Sequence, residues 1–245
     1  MKRKDFLTAG IGFAGLLSTA PALLSSCSHD DETTTPATGN SSSGGSNSGT
    51  CTVTATETAG PFPTYIPSAL VKSDITDGQT GIPLAITLIV QNITADCAAF
   101  AGAIVDIWHC NKDGEYSEYG GTGMQSTNYT AVHFLRGRQT TDVNGTVAFT
   151  SIFPAWYNGR ATHIHVHIYN ASGTSLLVTQ IAFPEGNDSA VALVSSSAGY
   201  GNGLTGYTYN ANDNVFSDGT GTEMATVSGN IAEGFSLMHT IKVNG

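Results

Sequence analysis

The chain has 245 residues, only 11% of them charged, with nine Lys and Arg against 19 Asp and Glu for a formal net charge of −10. So few cations leave almost nothing from which to build a nucleic-acid groove or a basic membrane-surface patch, and neither partner is expected. The 29 glycines, with β-branched and threonine-rich runs, favour an all-β sandwich that uses the length as one unit.

At the amino terminus, Met1-Lys2-Arg3-Lys4 is a basic stretch, Phe6 through Leu17 an apolar one, and Leu24-Ser25-Ser26-Cys27 closes it. This resembles a bacterial lipoprotein signal, so residues 1–26 are expected to be removed and Cys27 to carry the lipid. The following stretch, to residue 52, is rich in Ser, Thr and Gly; up to residue 50 it has no large apolar side chain with which to offset the entropy of ordering, and it reads as a flexible tether. No second hydrophobic run is long enough to span a bilayer, so the expected membrane contact of this exported protein is the lipid alone. With Cys27 assigned to lipid, Cys51, Cys97 and Cys110 remain. A Cys51–Cys97 disulfide would pin the start of the domain to the sheet, while Cys97–Cys110 and Cys51–Cys110 stay open.

The domain is expected over residues 53–245. Glu57-Thr58-Ala59-Gly60-Pro61-Phe62 is a stiff, irregular segment, and Gly81-Ile82-Pro83 introduces a strand at 84–90. A second strand covers 103–109, and the Asp113-Gly114 turn delivers Tyr116. Asp142-Val143-Asn144-Gly145 is another turn, leading into a strand at 146–152. After a loop at 154–159 come strands at 162–169 and 176–183, and residues 234–243 close the fold. Short strands punctuated by turns, without a long helical period, give a β-sandwich with functional groups gathered on loops at one end.

The strand at 162–169 carries the chemistry. Alternate residues of a strand share a face, so His163 and His165 lie together while Ile164 and Val166 pack the other way. Imidazole suits zinc, copper, iron or nickel, so the remaining ligands choose the metal. His167 falls on the same face. His109 and His133 are read as structural.

Several segments, in order, resemble one family: 57–62; Ala-Ile-Val-Asp-Ile-Trp-His at 103–109; Gly-Glu-Tyr-Ser at 114–117; Arg-Gly-Arg-Gln-Thr-Thr-Asp-Val-Asn-Gly at 136–145; Pro-Ala-Trp-Tyr-Asn-Gly-Arg at 154–160; His163-Ile164-His165; and Thr179-Gln180. Together they resemble the intradiol ring-cleavage dioxygenases, the catechol and protocatechuate dioxygenase group, over residues 53 to 185. The resemblance implies a β-sandwich and a ferric ion held by Tyr116, Tyr157, His163 and His165. It implies cleavage of a small aromatic diol by dioxygen to a muconate-type dicarboxylic acid, with Tyr157 released on substrate binding to take up a proton. Arg160 and Gln180 match the family's active-site arginine and the glutamine beside it, and Glu57, Pro61 and Phe62 are placed near the pocket. Ala155 and Ala59 depart from the pattern, standing where a glycine and an acidic residue are usual; neither removes a ligand. Two other readings stand beside this one: a lipid-anchored, non-catalytic binding domain, and a zinc hydrolase built on His163, His165 and His167.

Overall fold

The computed structural model describes residues 51–245. The expected signal segment, Cys27 and nearly all of the tether lie outside the described residues. Among the described residues nine strands form two sheets. One contains β1 (Pro83–Asn92), β2 (Ala98–Ala99), β5 (Thr146–Ile152), β8 (Thr226–Asn230) and β9 (Gly234–Val243). The other runs in the order β4 (Arg136–Thr140), β3 (Ile104–Trp108), β6 (His163–Tyr169), β7 (Ser175–Ala182), with every pair antiparallel. In the first sheet β1 lies parallel to β9 and antiparallel to β5.

The two sheets face each other across alternating apolar rows. Leu84, Ile86, Leu88 and Val90 of β1 and Phe235, Leu237 and Ile241 of β9 pack with Val105, Ile107, Ile164, Val166 and Ile168. Each of these side chains contributes about 1.5–3 kcal/mol on burial. The alternation commits Ile164, Val166 and Ile168 to the core, so register alone turns His163, His165 and His167 to the outer face of their sheet.

The expected strands at 146–152 and 234–243 form with those bounds, and the others form to within a residue or two. β4, β8 and the short β2 were not anticipated, because Arg136–Thr140 and Thr226–Asn230 are too polar to stand out by hydrophobic pattern alone. A six-residue helix α1 (Ala190–Ser195), capped by the Ser189 side chain accepting from the Ala192 N–H, is too short to show as a helical period in the sequence. Among the described residues no helix is long and apolar enough to cross a membrane.

Of the three pairings left open, the structure forms Cys51–Cys97, which ties the start of the described chain to the end of the β1–β2 connection. Cys110 is free and buried, its thiol directed at the Ala155 carbonyl at 3.5 Å, and burial pushes its pKa up to about 12. Such a thiol is a packing group rather than a nucleophile.

Candidate metal centre

Strand register lays out one row of the site. His165 stands directly opposite Trp108 of β3 on one side and Gln180 of β7 on the other. Trp108 stacks flat against the His165 ring, with centroids 4.8 Å apart and an interplanar angle of 1°. The irregular amino-terminal segment covers the His165 ring as well. Gly60 sits at φ +68°, and a Cβ there would come within 3.0 Å of His165 Cε1, so only glycine satisfies both the backbone and the contact.

The loop after β3 brings in the phenol. Gly114, at φ +81°, makes the turn, and a side chain there would run into the Trp156 carbonyl, so the loop bearing Tyr116 lies directly on the loop bearing Tyr157. Gln125 holds Tyr116 by its backbone, accepting from the Tyr116 N–H at 2.7 Å and donating to its carbonyl at 2.8 Å. Fully buried Arg136 donates to Ser117 Oγ, the Ser117 carbonyl, the Phe62 carbonyl and Thr64 Oγ1, fastening the Tyr116 loop to the amino-terminal segment. Phe62 stacks on Tyr116 and meets Tyr157 edge-on.

Three donor atoms converge. His163 Nε2 lies 3.1 Å from Tyr116 Oη and 3.1 Å from His165 Nε2. Ligands at right angles around one ion, each about 2.1 Å from it, sit about 3.0 Å apart, so this spacing fits a shared metal. The tautomer fits too. His163 Nδ1 is 2.6 Å from the Ala161 carbonyl, which can only accept, so Nδ1 carries the proton and the Nε2 lone pair faces the other two donors. His165 Nδ1 has no hydrogen-bond partner in its buried position; stacking orients the ring instead.

Electrostatics favours the ligating form of both imidazoles. Burial, reinforced by the Arg160 charge, lowers the His163 pKa to about 3, and burial with the neighbouring His163 pushes His165 well below its ordinary value. Burial raises the Tyr116 hydroxyl well above its ordinary range; a multivalent cation among these donors is what would offset that penalty and favour the phenolate.

The fourth expected ligand is close but not joined to these three. The Tyr157 ring lies edge-on to Tyr116, at 6.1 Å between centroids, while its hydroxyl reaches the Met124 carbonyl at 3.4 Å. Arg160 and Gln180 are brought together: Arg160 Nη2 donates to Gln180 Oε1 at 2.6 Å, and Gln180 Nε2 donates to the Thr58 carbonyl. Fully buried Asp213 accepts from Arg160 Nε through both oxygens, at 2.9 Å each, and also from the backbone of Ala161 and Val215.

His167 does not join the centre. Its Nε2 is 2.7 Å from Ser175 Oγ, its Nδ1 2.8 Å from the Tyr169 hydroxyl, and among the described residues no cluster of three His, Cys, Asp or Glu is placed to hold a metal. The three-histidine zinc arrangement is therefore not formed, because the outer face of β6 is capped by loops only at its His163–His165 end. His109 is held by Ser151 Oγ and the Cys110 carbonyl, and His133 by Glu118. Nor do loops alone carry the site, since both imidazoles and Gln180 lie on strands. Gly60, Trp108, Gln125, Arg136 and Asp213 carry no individual role in the sequence reading, although Gly60, Trp108 and Arg136 fall inside the resembling segments 57–62, 103–109 and 136–145; their place comes from cross-strand register and loop packing.

Comparison with known proteins agrees with this architecture. A family model described as dioxygenase matches residues 61–226. Catechol 1,2-dioxygenase 1 of Acinetobacter lwoffii is 34% identical over 100 residues, covering 39% of this chain and 30% of that protein. Chlorocatechol 1,2-dioxygenase of Rhodococcus opacus is 31% identical over 101 residues, covering 34% of this chain and 37% of that protein, so each match spans only about a third of the relative's length. The solved intradiol ring-cleavage dioxygenase of Tetranychus urticae superposes with a TM-score of 0.69 at 26% identity, covering 79% of this chain and 95% of that one. A sandwich that presents two strand histidines to a loop tyrosine and is matched by that model over most of its length belongs to the intradiol ring-cleavage dioxygenase family.

Proposed function

We propose that this chain cleaves a catechol-type diol between its two hydroxyl-bearing carbons with dioxygen, giving a muconate-type dicarboxylic acid. We further propose that Tyr116, Tyr157, His163 and His165 hold a ferric ion for it. The carrying observation is that Tyr116 Oη and His165 Nε2 each approach His163 Nε2 to 3.1 Å in a buried setting. Neutral imidazoles with hard phenol oxygens suit ferric iron, which when bound would act as a Lewis acid and template for the diol and draw electron density from its ring.

The chain's own residues divide the remaining work. Tyr157 is the least constrained of the four ligands, its hydroxyl having one long contact to the Met124 carbonyl, so Oη is the atom suited to leave and accept a proton from a diol hydroxyl. Tyr116, His163 and His165 are locked by Gln125, the Ala161 carbonyl and Trp108, and keep their geometry while Tyr157 moves. Arg160, braced by Asp213 and Gln180, sets a fixed positive charge beside the donors, where it stabilises negative charge developing on the ring. Trp108, Phe62 and Tyr116 make the surroundings apolar and keep water from these groups.

Metal analysis and colour of iron-supplemented protein test this reading, followed by oxygen uptake with catechol. Phenolate-to-iron charge transfer should turn the protein wine-red, with loss of that colour in Tyr116→Phe. A colourless, iron-free protein that consumes no oxygen with catechol would refute it. Residues 1–26 are proposed as a lipoprotein signal and Cys27 as the acylated residue, on the basic, apolar and small-residue order of the terminus. Cys27→Ala is expected to release the protein from membranes, and unchanged membrane association would count against the anchor.

A further inference from the structure

We infer that the pocket favours catechols whose ring substituents are neutral or cationic and rejects those bearing a carboxylate. This rests on the catechol-cleaving reading above.

Residues 51–245 contain six Lys and Arg. Lys72 pairs with Asp77, Lys112 with Asp113 and Arg138 with Asp106, at 2.5, 3.1 and 2.5 Å. Arg136 is sealed under the Tyr116 loop with its donors committed to Ser117, Phe62 and Thr64 and the Glu118 carboxylate at 3.7 Å. Lys242 lines a groove with Thr52, Met238 and His239, which shares no residue with the metal centre. Arg160 is the cation at the site, and Asp213, wholly buried, matches it charge for charge while Gln180 takes a further donor. Among the described residues no cation at the metal centre is left over to receive a substrate carboxylate.

Unmatched negative charge, by contrast, stands on both sides. Half-buried Glu57, in the amino-terminal segment that covers His165, lies within the fields of Arg160, Asp213 and Asp218, and burial together with Asp218 raises its pKa. On the other side a cavity of about 380 Å³ adjoins Tyr157, lined by Met124, Asp113 and Glu115. Lys112 neutralises Asp113, whereas the Glu115 carboxylate is met by the Thr127 hydroxyl and, among the described residues, by no cation. Whichever way a ring substituent points, a carboxylate would lose water, meet like charge and find no counter-ion. An alkyl group avoids that penalty, and an ammonium group gains from the same field.

Oxygen uptake by the iron-loaded full chain, with catechol, methylcatechol, aminoethylcatechol and protocatechuate, tests the inference. Anaerobic titrations that follow the charge-transfer colour give the matching Kd values. We expect kcat/KM and affinity for protocatechuate roughly 100-fold below those for catechol, with aminoethylcatechol at least equal to methylcatechol. Glu57→Lys should narrow the catechol-to-protocatechuate ratio about tenfold; Glu115→Lys, on the opposite side, is the second variant should the first not fold. Protocatechuate turned over within about threefold of catechol would overturn the charge selection while leaving catechol cleavage standing. Failure to bind or cleave any of the four would remove the activity itself, and the selection with it.

Discussion

Asp213→Asn isolates the brace behind Arg160. The wild-type carboxylate receives Arg160 Nε at 2.9 Å on each oxygen, the Ala161 N–H at 2.7 Å and the Val215 N–H at 2.9 Å, and it is fully buried. Asparagine keeps the shape and one acceptor oxygen but removes the charge and presents an NH₂ group to Arg160 or to a backbone N–H. Losing at least one charge-assisted hydrogen bond, each worth about 1.5–3 kcal/mol, and leaving Arg160 without its counter-charge puts the cost at about 2–3 kcal/mol. For a domain of this size that corresponds to a fall in Tm of roughly 4–12 °C. The effect should extend to chemistry, because the Ala161 backbone that Asp213 holds also receives His163 Nδ1–H. Calorimetry should show the Tm shift. Stopped-flow oxygen uptake should show kcat falling more than KM changes, with iron content retained. Arg160→Gln combined with Asp213→Asn should cost less than the sum of the two, since the pair is then lost only once. An unshifted Tm with unchanged kcat, or strict additivity in the double variant, would refute the idea that this pair positions the site.

Gly60→Ala forces a Cβ to 3.0 Å from His165 Cε1 on a backbone at φ +68°, so we expect a loss of about 1–2 kcal/mol in stability and weaker iron retention, both measured on the same preparation. Retained affinity and Tm would show that the segment moves freely away. Opening the Cys51–Cys97 disulfide, with a sequence separation of 46, should cost up to about 4 kcal/mol, read as the Tm difference between wild type and Cys51→Ser. Stability should also have a maximum against pH. His109 and His239 are held down to about 4 by burial, so between their unfolded pKa of about 6.5 and that value the unfolded chain binds the extra protons and stability falls as pH falls. Glu223, raised to about 8 by burial and by the Glu57 and Asp218 charges, has the opposite sign: the folded state holds the extra proton, and stability falls as pH rises from about 4.5 towards 8. Glu223→Gln should flatten the alkaline side alone in urea titrations at stepped pH, and a variant with an unchanged alkaline slope would count against this assignment.

The contrast between His163 and His167 shows what kinds of information were legible. Both read from the sequence as polar residues on one face of a strand, and that face is where they lie. Nothing in the spacing distinguishes them, because what covers His163 and His165 is the Tyr116 loop and the segment around Gly60, which come from elsewhere in the chain. His167, beyond that cover, satisfies both nitrogens with Ser175 and Tyr169. The cysteines make the same point: three pairings were open until the fold placed Cys51 against Cys97 and buried Cys110.

By itself the sequence determined the class of fold, the strands that carry apolar alternation, and the residue types able to bind a metal, since these depend on local periodicity and on side-chain chemistry that travel with the chain. Only the tertiary structure decided which of those groups meet. The 3.1 Å approach of Tyr116 to His163 joins residues 47 apart, and the Asp213 brace on Arg160 joins residues 53 apart. Such contacts are set by sheet register and by loops packing over the sheet, and the free energy that selects them comes from burying the whole apolar interior rather than from any short run of residues.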